Sequence, residues 1–197
     1  SGAHHAASAA WRRSPGPADG PEAVPGPAAL PGSLSLADLG LLSPIHWYDG
    51  MEATWTPGEE GAHQRLAAFL RTILPGYDTD RDRPALDGTS ALSPHLHFGE
   101  IGPRQLVAGV REAGAAETAG GEAFLRELGW REFAHHLLYH FPETPERPLN
   151  RQFEAFPWRW AEGEGAGEAA AWQEGRTGVP LVDAGMRQLW CTGWMHN

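Results

Sequence analysis

The sequence predicts an all-α protein. Apolar residues recur at intervals of three and four through Leu66, Phe69, Leu70 and Ile73, and again from Phe124 to Phe141, which is the repeat of an amphipathic helix. No stretch alternates apolar and polar residues clearly enough to read as a strand. Thr56-Pro57 and Ser93-Pro94 each set a capping residue before a proline, the order found at helix starts because proline needs no N–H partner in the first turn.

Composition narrows the class further. A chain of 197 residues can bury a core and amounts to one domain or slightly more. It has no apolar run of about 18 residues, so no membrane-spanning helix is expected and a cytoplasmic protein is. The single cysteine, Cys191, rules out an internal disulfide framework and fits a reducing compartment. All 15 basic residues are arginine, and the net charge is −10, which argues against non-specific coating of nucleic acid while allowing a local basic groove. Six of the nine tryptophans, Trp130, Trp158, Trp160, Trp172, Trp190 and Trp194, lie from residue 130 onward. They serve either as core or as residues that stack on bases or carry electrons.

In chain order, residues 1 to 32 are rich in Ala, Gly and Pro and read as linker or mobile tail. The opening Ser1-Gly2-Ala3-His4-His5 has neither Met nor a signal pattern and reads as a fragment boundary. Residues 1–50 as a whole are expected to be an interdomain linker or disordered tail, with one short turn around Ser35 to Leu39. Residues 51–197 carry the helices. Thr56-Pro57-Gly58-Glu59 reads as a capping box with Thr56 as N-cap, opening a helix that Pro75-Gly76 stops. Helices are expected from Pro94 and from near Pro103, the latter burying Leu106 and Val110, followed by a loop from Arg111 to Gly121. The longest helix runs from Glu122 to Phe141 and buries Phe124, Leu128, Phe133, Leu137, Leu138 and Phe141. After a turn over Pro142 to Arg151, Phe156 to Trp160 reads as extended and 162–167 as a flexible loop. A helix through Trp172 follows. The last helix opens at Pro180, carries Leu181, Val182, Met186, Leu189 and Trp190 on its apolar side, and ends at Gly193.

The segment from Tyr77 to Glu100 carries the most chemistry. Thr89, Ser90 and Ser93 place three hydroxyls within five residues, with Ser93 read as the N-cap of the helix at Pro94. Free N–H groups at a helix start favour an anion, and phosphate suits such a seat. On the long helix Glu127, Trp130, Arg131 and Ala134 share a face by spacing. That face is either a solvated edge or a wall against a planar polar ligand. His95, His97, His135 and His136 have no Cys or carboxylate cluster at ligand spacing, so no metal is expected. Cys191 reads as packing, Asp183 and Arg187 as a surface ion pair four residues apart, and Trp172 and Trp194 as structural.

Three ordered motifs carry a resemblance to a known family: Tyr77 with Gly88-Thr89-Ser90-Ala91-Leu92-Ser93-Pro94, the segment FLRELGWREF from Phe124 to Phe133, and the run from Trp172 to Asn197 that ends GWMHN. Together they span roughly the last 140 residues and resemble the flavin-binding domain of the DNA photolyase and cryptochrome family, a bacterial class I cyclobutane pyrimidine dimer photolyase above all. The resemblance implies the helical FAD-binding domain of photolyase type, truncated at the C-terminus and preceded by an irregular linker, with a second antenna chromophore of unspecified identity in the full-length protein. It assigns FAD binding to Tyr77, Thr89, Ser90, Ala91, Leu92 and Ser93. Glu127 and Trp130 are to meet a flipped-out pyrimidine dimer by hydrogen bond and by stacking, Arg131 to lie on the DNA side, Asn197 to share the pocket, and Trp158 to be the outer tryptophan of an electron-transfer chain.

Ala91 departs from the family pattern, in which many relatives have Arg. The family's segment beyond Asn197, with further flavin contacts and two inner tryptophans, is not in the chain. The implied activity is light-driven repair of the dimer by electron transfer from reduced FAD, with damaged DNA as partner and a monomeric protein. The rivals are a cryptochrome-type blue-light photoreceptor and an inactive truncated fragment. A damaged base must leave the stack to reach a buried flavin, and the general account of base flipping names photolyases among its examples. The two sides of the pocket are expected to face one cavity, with apolar surface exposed nearby.

Overall fold

A computed structural model describes residues 20, 25–26, 32, 34–35, 37–159 and 162–197. The tail expected over 1–32 falls almost wholly outside the described residues, as does Trp160. Eight α-helices make up the described part, and no strand occurs among the described residues. They are α1 (Asp49–Thr54), α2 (Glu59–Ala68), α3 (Tyr77–Asp80), α4 (Ser93–His97), α5 (Pro103–Glu112), α6 (Ala119–His140), α7 (Ala166–Gln173) and α8 (Pro180–Thr192).

The core gathers where α2, α3 and the first half of α6 meet. Phe69, Tyr77 and Phe124 are all buried and form a closed aromatic triangle. Phe69 lies 4.6 Å from Phe124, and Tyr77 meets both rings edge-on at 5.6 Å. Edge-to-face pairs at this spacing gain about 0.5–1.5 kcal/mol beyond burial. The triangle fixes Tyr77 in the core. α6 reaches the core because Gly120 lets its first turn touch the Leu74 carbonyl, where a Cβ would sit 1.9 Å from the oxygen.

Several boundaries differ from the sequence reading. α2 starts at Glu59 with Gly58 as N-cap, so Thr56 does not cap it. The Gly58 N–H instead donates to the Glu100 carboxylate at 2.8 Å, a partner 42 residues away that local spacing does not reveal. Pro75 does not end the helical path. Phe69–Ile73 widens into a π-turn, Leu74–Gly76 tightens into a 3₁₀ turn, and α3 follows at Tyr77, so the missing proline N–H is absorbed by a change of helical register. Ser93 is the first residue of α4 rather than its cap. Leu92 holds the cap position, Pro94 is second, and no side chain caps the helix. The loop expected from Arg111 to Gly121 shrinks, since α5 runs to Glu112 and α6 starts at Ala119, with the Thr118 hydroxyl accepting from the Gly121 N–H at 3.1 Å.

Burial departs from periodicity in the second half of α6. Phe124 and Leu128 are buried as expected, whereas Phe133, Leu138 and Phe141 are 42–46% exposed because no described element packs over that end. α8 ends at Gly193 with φ 71, as expected of a left-handed C-terminal glycine. Of its apolar side only Met186 is buried, and Leu181 and Trp190 stand out in solvent. Asp183 and Arg187 are not a surface pair. Asp183 is buried and accepts from the Thr177 N–H at 2.7 Å, the Thr177 hydroxyl at 2.6 Å and the Gly178 N–H at 3.0 Å, while Arg187 donates to the Gly175 carbonyl at 3.1 Å. The turn before α8 leaves N–H groups to be satisfied, and a carboxylate one turn into the helix reaches them. Cys191 is exposed rather than packed.

Candidate functional site

The hydroxyl-rich segment is a fixed turn anchored at both ends. Gly88 is buried against the backbone of Asp80, where a Cβ would sit 2.4 Å from the carbonyl oxygen, so a side chain there would push the turn off α3. Leu92, 1% exposed, plugs the other end into the core. Between them Thr89, Ser90 and Ala91 are half-buried, and Ala91 adopts φ 48, a left-handed conformation that costs a non-glycine residue roughly 1 kcal/mol or more. Ser93 is exposed. A five-residue helix with Leu92 in the cap position adds little macrodipole.

Two adjoining cavities open beside this turn. The larger, about 360 Å³, is lined by residues including Trp55, Arg65, Ala91, His95 and Trp194. The smaller, about 310 Å³, includes Thr89 and His196. They share Asp87, Gln188 and Trp194, so the end of α8 forms the wall facing the turn. His95, 3% exposed, is held by Glu100, whose Oε2 lies 2.5 Å from Nδ1. The bond to His95 and the Gly58 N–H keep the Glu100 carboxyl below its usual range. The Trp55 indole N–H donates to the Thr192 carbonyl at 2.6 Å, tying the segment after α1 to the end of α8.

A single arginine joins the motifs. Arg81, four residues after Tyr77, sets its guanidinium carbon 5.8 Å from the Tyr77 ring centre. Its Nη1 donates to Glu127 Oε1, and its backbone carbonyl lies 2.8 Å from His196 Nε2. Burial, and then the negative charge of Glu127, push the Tyr77 hydroxyl up. Tyr77 and Glu127 therefore meet the side chain of one residue whose backbone carbonyl His196 approaches. Glu127 keeps Oε2 without a hydrogen bond to the described residues, and its side chain is 33% exposed, so it can still accept from a ligand. Trp130, one turn further on α6, is 47% exposed and meets Phe133 edge-on at 5.8 Å. Arg131 pairs with Glu132 at 3.0 Å, and Asn197 is exposed. Trp158 is 51% exposed and among the described residues engages its own segment, donating to the Phe153 carbonyl at 2.9 Å and packing on Phe156 at 4.6 Å.

The sequence reading gave no site role to Arg81, Arg65, His95 or Gln188, took Trp194 as structural, and met Gly88 only as part of a motif. Arg81 was within reach, because a cation four residues after an aromatic in a helical turn shares its face. Arg65 meets its partners across 22 residues or more, and Gln188 and Trp194 share their cavity walls with Asp87, so none of these leaves a local trace. Among the described residues no group of three or more His, Cys, Asp or Glu is placed to hold a metal, and no helix is long and apolar enough to cross a membrane.

Comparison with known proteins gives the family of this helical body. The family model "FAD binding domain of DNA photolyase" matches residues 124–197. A deoxyribodipyrimidine photo-lyase of Agrobacterium fabrum is 42% identical over 183 residues, covering 92% of this chain and 37% of that protein. Cryptochrome-1 of Arabidopsis thaliana is 38% identical over 151 residues, 73% of this chain and 22% of that one. The crystal structure of a bacterial class III photolyase from Agrobacterium tumefaciens matches with a TM-score of 0.85 at 41% identity, covering 97% of this chain and 40% of that one. The chain belongs to the DNA photolyase and cryptochrome family and carries part of its helical FAD-binding domain. It spans well under half the length of these relatives.

Proposed function

We propose that the protein carrying this chain is a deoxyribodipyrimidine photo-lyase that binds FAD and repairs cyclobutane pyrimidine dimers in DNA under light. The observation that supports this best is the Arg81 junction, where Tyr77 and Glu127 meet beside a cavity wall that Thr89 shares with His196. FAD fits the chain's chemistry: Thr89 and Ser90 offer hydroxyls, and Gly88 keeps the turn free of a side chain that would displace it. When bound, reduced FAD supplies the light-driven electron, chemistry that belongs to the cofactor. The chain's own part is to seat the flavin through Tyr77, Thr89, Ser90, Ala91, Leu92 and Ser93, and to receive the extruded lesion.

Trp130 offers a face for stacking, and Glu127 Oε2 accepts a hydrogen bond from a thymine edge, held in place by the bond Arg81 makes to Oε1. Arg131 lies on the DNA side, Asn197 shares the lesion pocket, and Trp158 passes electrons inward from the surface. Residues 1–50 act as linker and 51–197 as the N-terminal part of the flavin domain, in a monomeric cytoplasmic protein with a separate antenna chromophore. The family rather than the class is what the relatives share, since one is a class III enzyme and the sequence motifs suggested class I.

The similarity to Cryptochrome-1 at 38% identity favours a second reading, a blue-light photoreceptor with the same flavin and no need of a lesion pocket. The test gives the full-length, FAD-loaded protein a thymine-dimer oligonucleotide, reductant and blue light. Loss of the dimer is expected, and unchanged dimer with flavin bound would favour the photoreceptor. Trp130→Ala should weaken binding to damaged DNA by about 1–3 kcal/mol with flavin absorbance intact. Equal affinity would remove Trp130 from the pocket.

A further inference from the structure

Arg65, on the last turn of α2 and in the wall of the larger cavity, reaches the backbone of the hydroxyl-rich turn. Its Nε donates to the Ser90 carbonyl at 2.7 Å and its second nitrogen to the Thr89 carbonyl at 3.3 Å, with Asp87 Oδ1 at 3.4 Å from the same nitrogen. One guanidinium thus holds two successive carbonyls. In a trans peptide the N–H points opposite to the C=O, so carbonyls drawn towards Arg65 turn the N–H groups of Ser90 and Ala91 away from it. Neither N–H donates to any group among the described residues. Ala91, the only non-glycine residue at positive φ among the described residues, curls the backbone at this point, and successive amides around such a residue form a concavity that accepts an anion. Gly88 and Leu92 fix the ends of the turn, and Arg65 sets its rotation.

We infer that Arg65 is a positioning residue for the diphosphate of the flavin dinucleotide: it acts through the Thr89 and Ser90 carbonyls to aim the Ser90 and Ala91 amides at the anion. The inference rests on the flavin reading above. Asp87 offsets part of the Arg65 charge, so the fork geometry matters more than the cation. A guanidinium spans two acceptors in one plane, and an ammonium does not.

The experiment uses the full-length protein stripped of cofactor, with Arg65→Lys and Arg65→Met, titrated with FAD and separately with riboflavin, which has the same ring system and no diphosphate. Both variants are expected to lose about tenfold or more in FAD affinity, to bind riboflavin as the parent does, and to keep the parent's thermal midpoint. Full FAD affinity in Arg65→Lys would show a plain charge effect and overturn the inference. Equal losses for FAD and riboflavin would show a merely structural role and overturn it as well. Parent-like FAD binding in both variants sinks the positioning role alone, whereas a parent that takes up no FAD sinks the flavin reading together with it.

Discussion

The two halves of α6 have similar apolar spacing and different surroundings. From Ala119 to Leu128 the helix buries Gly120, Gly121, Ala123, Phe124 and Leu128 against α3 and the turn before it. Beyond Gly129 it presents Phe133, Leu138, Tyr139 and Phe141 to solvent. The same contrast runs through the molecule, because among the described residues every buried apolar side chain except Met186 lies from Ala62 to Leu128, while Trp158, Trp172 and Trp190 beyond it stand half or more exposed. A repeat of three and four shows which face of a helix is apolar. What that face meets depends on which other elements pack there.

The sharpest way to break this comparison is to truncate one aromatic in each half. Phe124→Ala removes a ring from the aromatic triangle and should cost about 3–5 kcal/mol, read from denaturant unfolding. Phe133→Ala, on the exposed half, should stay within about 1 kcal/mol. Similar losses at the two sites would mean that the second half is covered in solution and the contrast is false.

The glycines of the same helix sharpen the point, because one substitution should change sign between them. Gly120→Ala drives a Cβ into the Leu74 carbonyl and should destabilise by about 1–3 kcal/mol. Gly129 has nothing within 4 Å of its missing Cβ, so Gly129→Ala should stabilise by roughly 0.5–1 kcal/mol through helix propensity. A loss of stability at Gly129 would show an unseen neighbour on the second half.

The smallest effect separates the halves by pH. The C-terminal region depends on the Asp183 carboxylate, held below its usual range chiefly by the Thr177 hydroxyl, with help from the Thr177 and Gly178 N–H groups. A carboxyl whose folded pKa is depressed adds stability above its unfolded pKa and loses it as pH falls through the folded one. Acid should therefore loosen the turn at Thr177–Gly178 and the start of α8, a change readable in hydrogen exchange at those amides. Asp183→Asn should lower protection at neutral pH and flatten its acid dependence. Unaltered acid dependence in the variant would show that another group controls the region.

The sequence by itself determined the all-helical class, α6 and α8 to within a few residues, the Gly193 stop, and the three motifs that identify the family, because helix periodicity, glycine caps and short motifs are local properties of a chain. It also singled out Tyr77, Thr89, Glu127 and Trp130 before any geometry was known. The tertiary structure decided what those residues touch. It moved the cap of α2 to Gly58 and its partner to Glu100, carried the helical path past Pro75, turned Asp183 from a surface ion into a buried cap, and placed Arg81 between Tyr77 and Glu127 and Arg65 on the Thr89 and Ser90 carbonyls. These contacts join residues far apart in the chain or reverse an expected orientation. Spacing along the chain does not encode them, because each depends on where two separately folded segments come to lie in space.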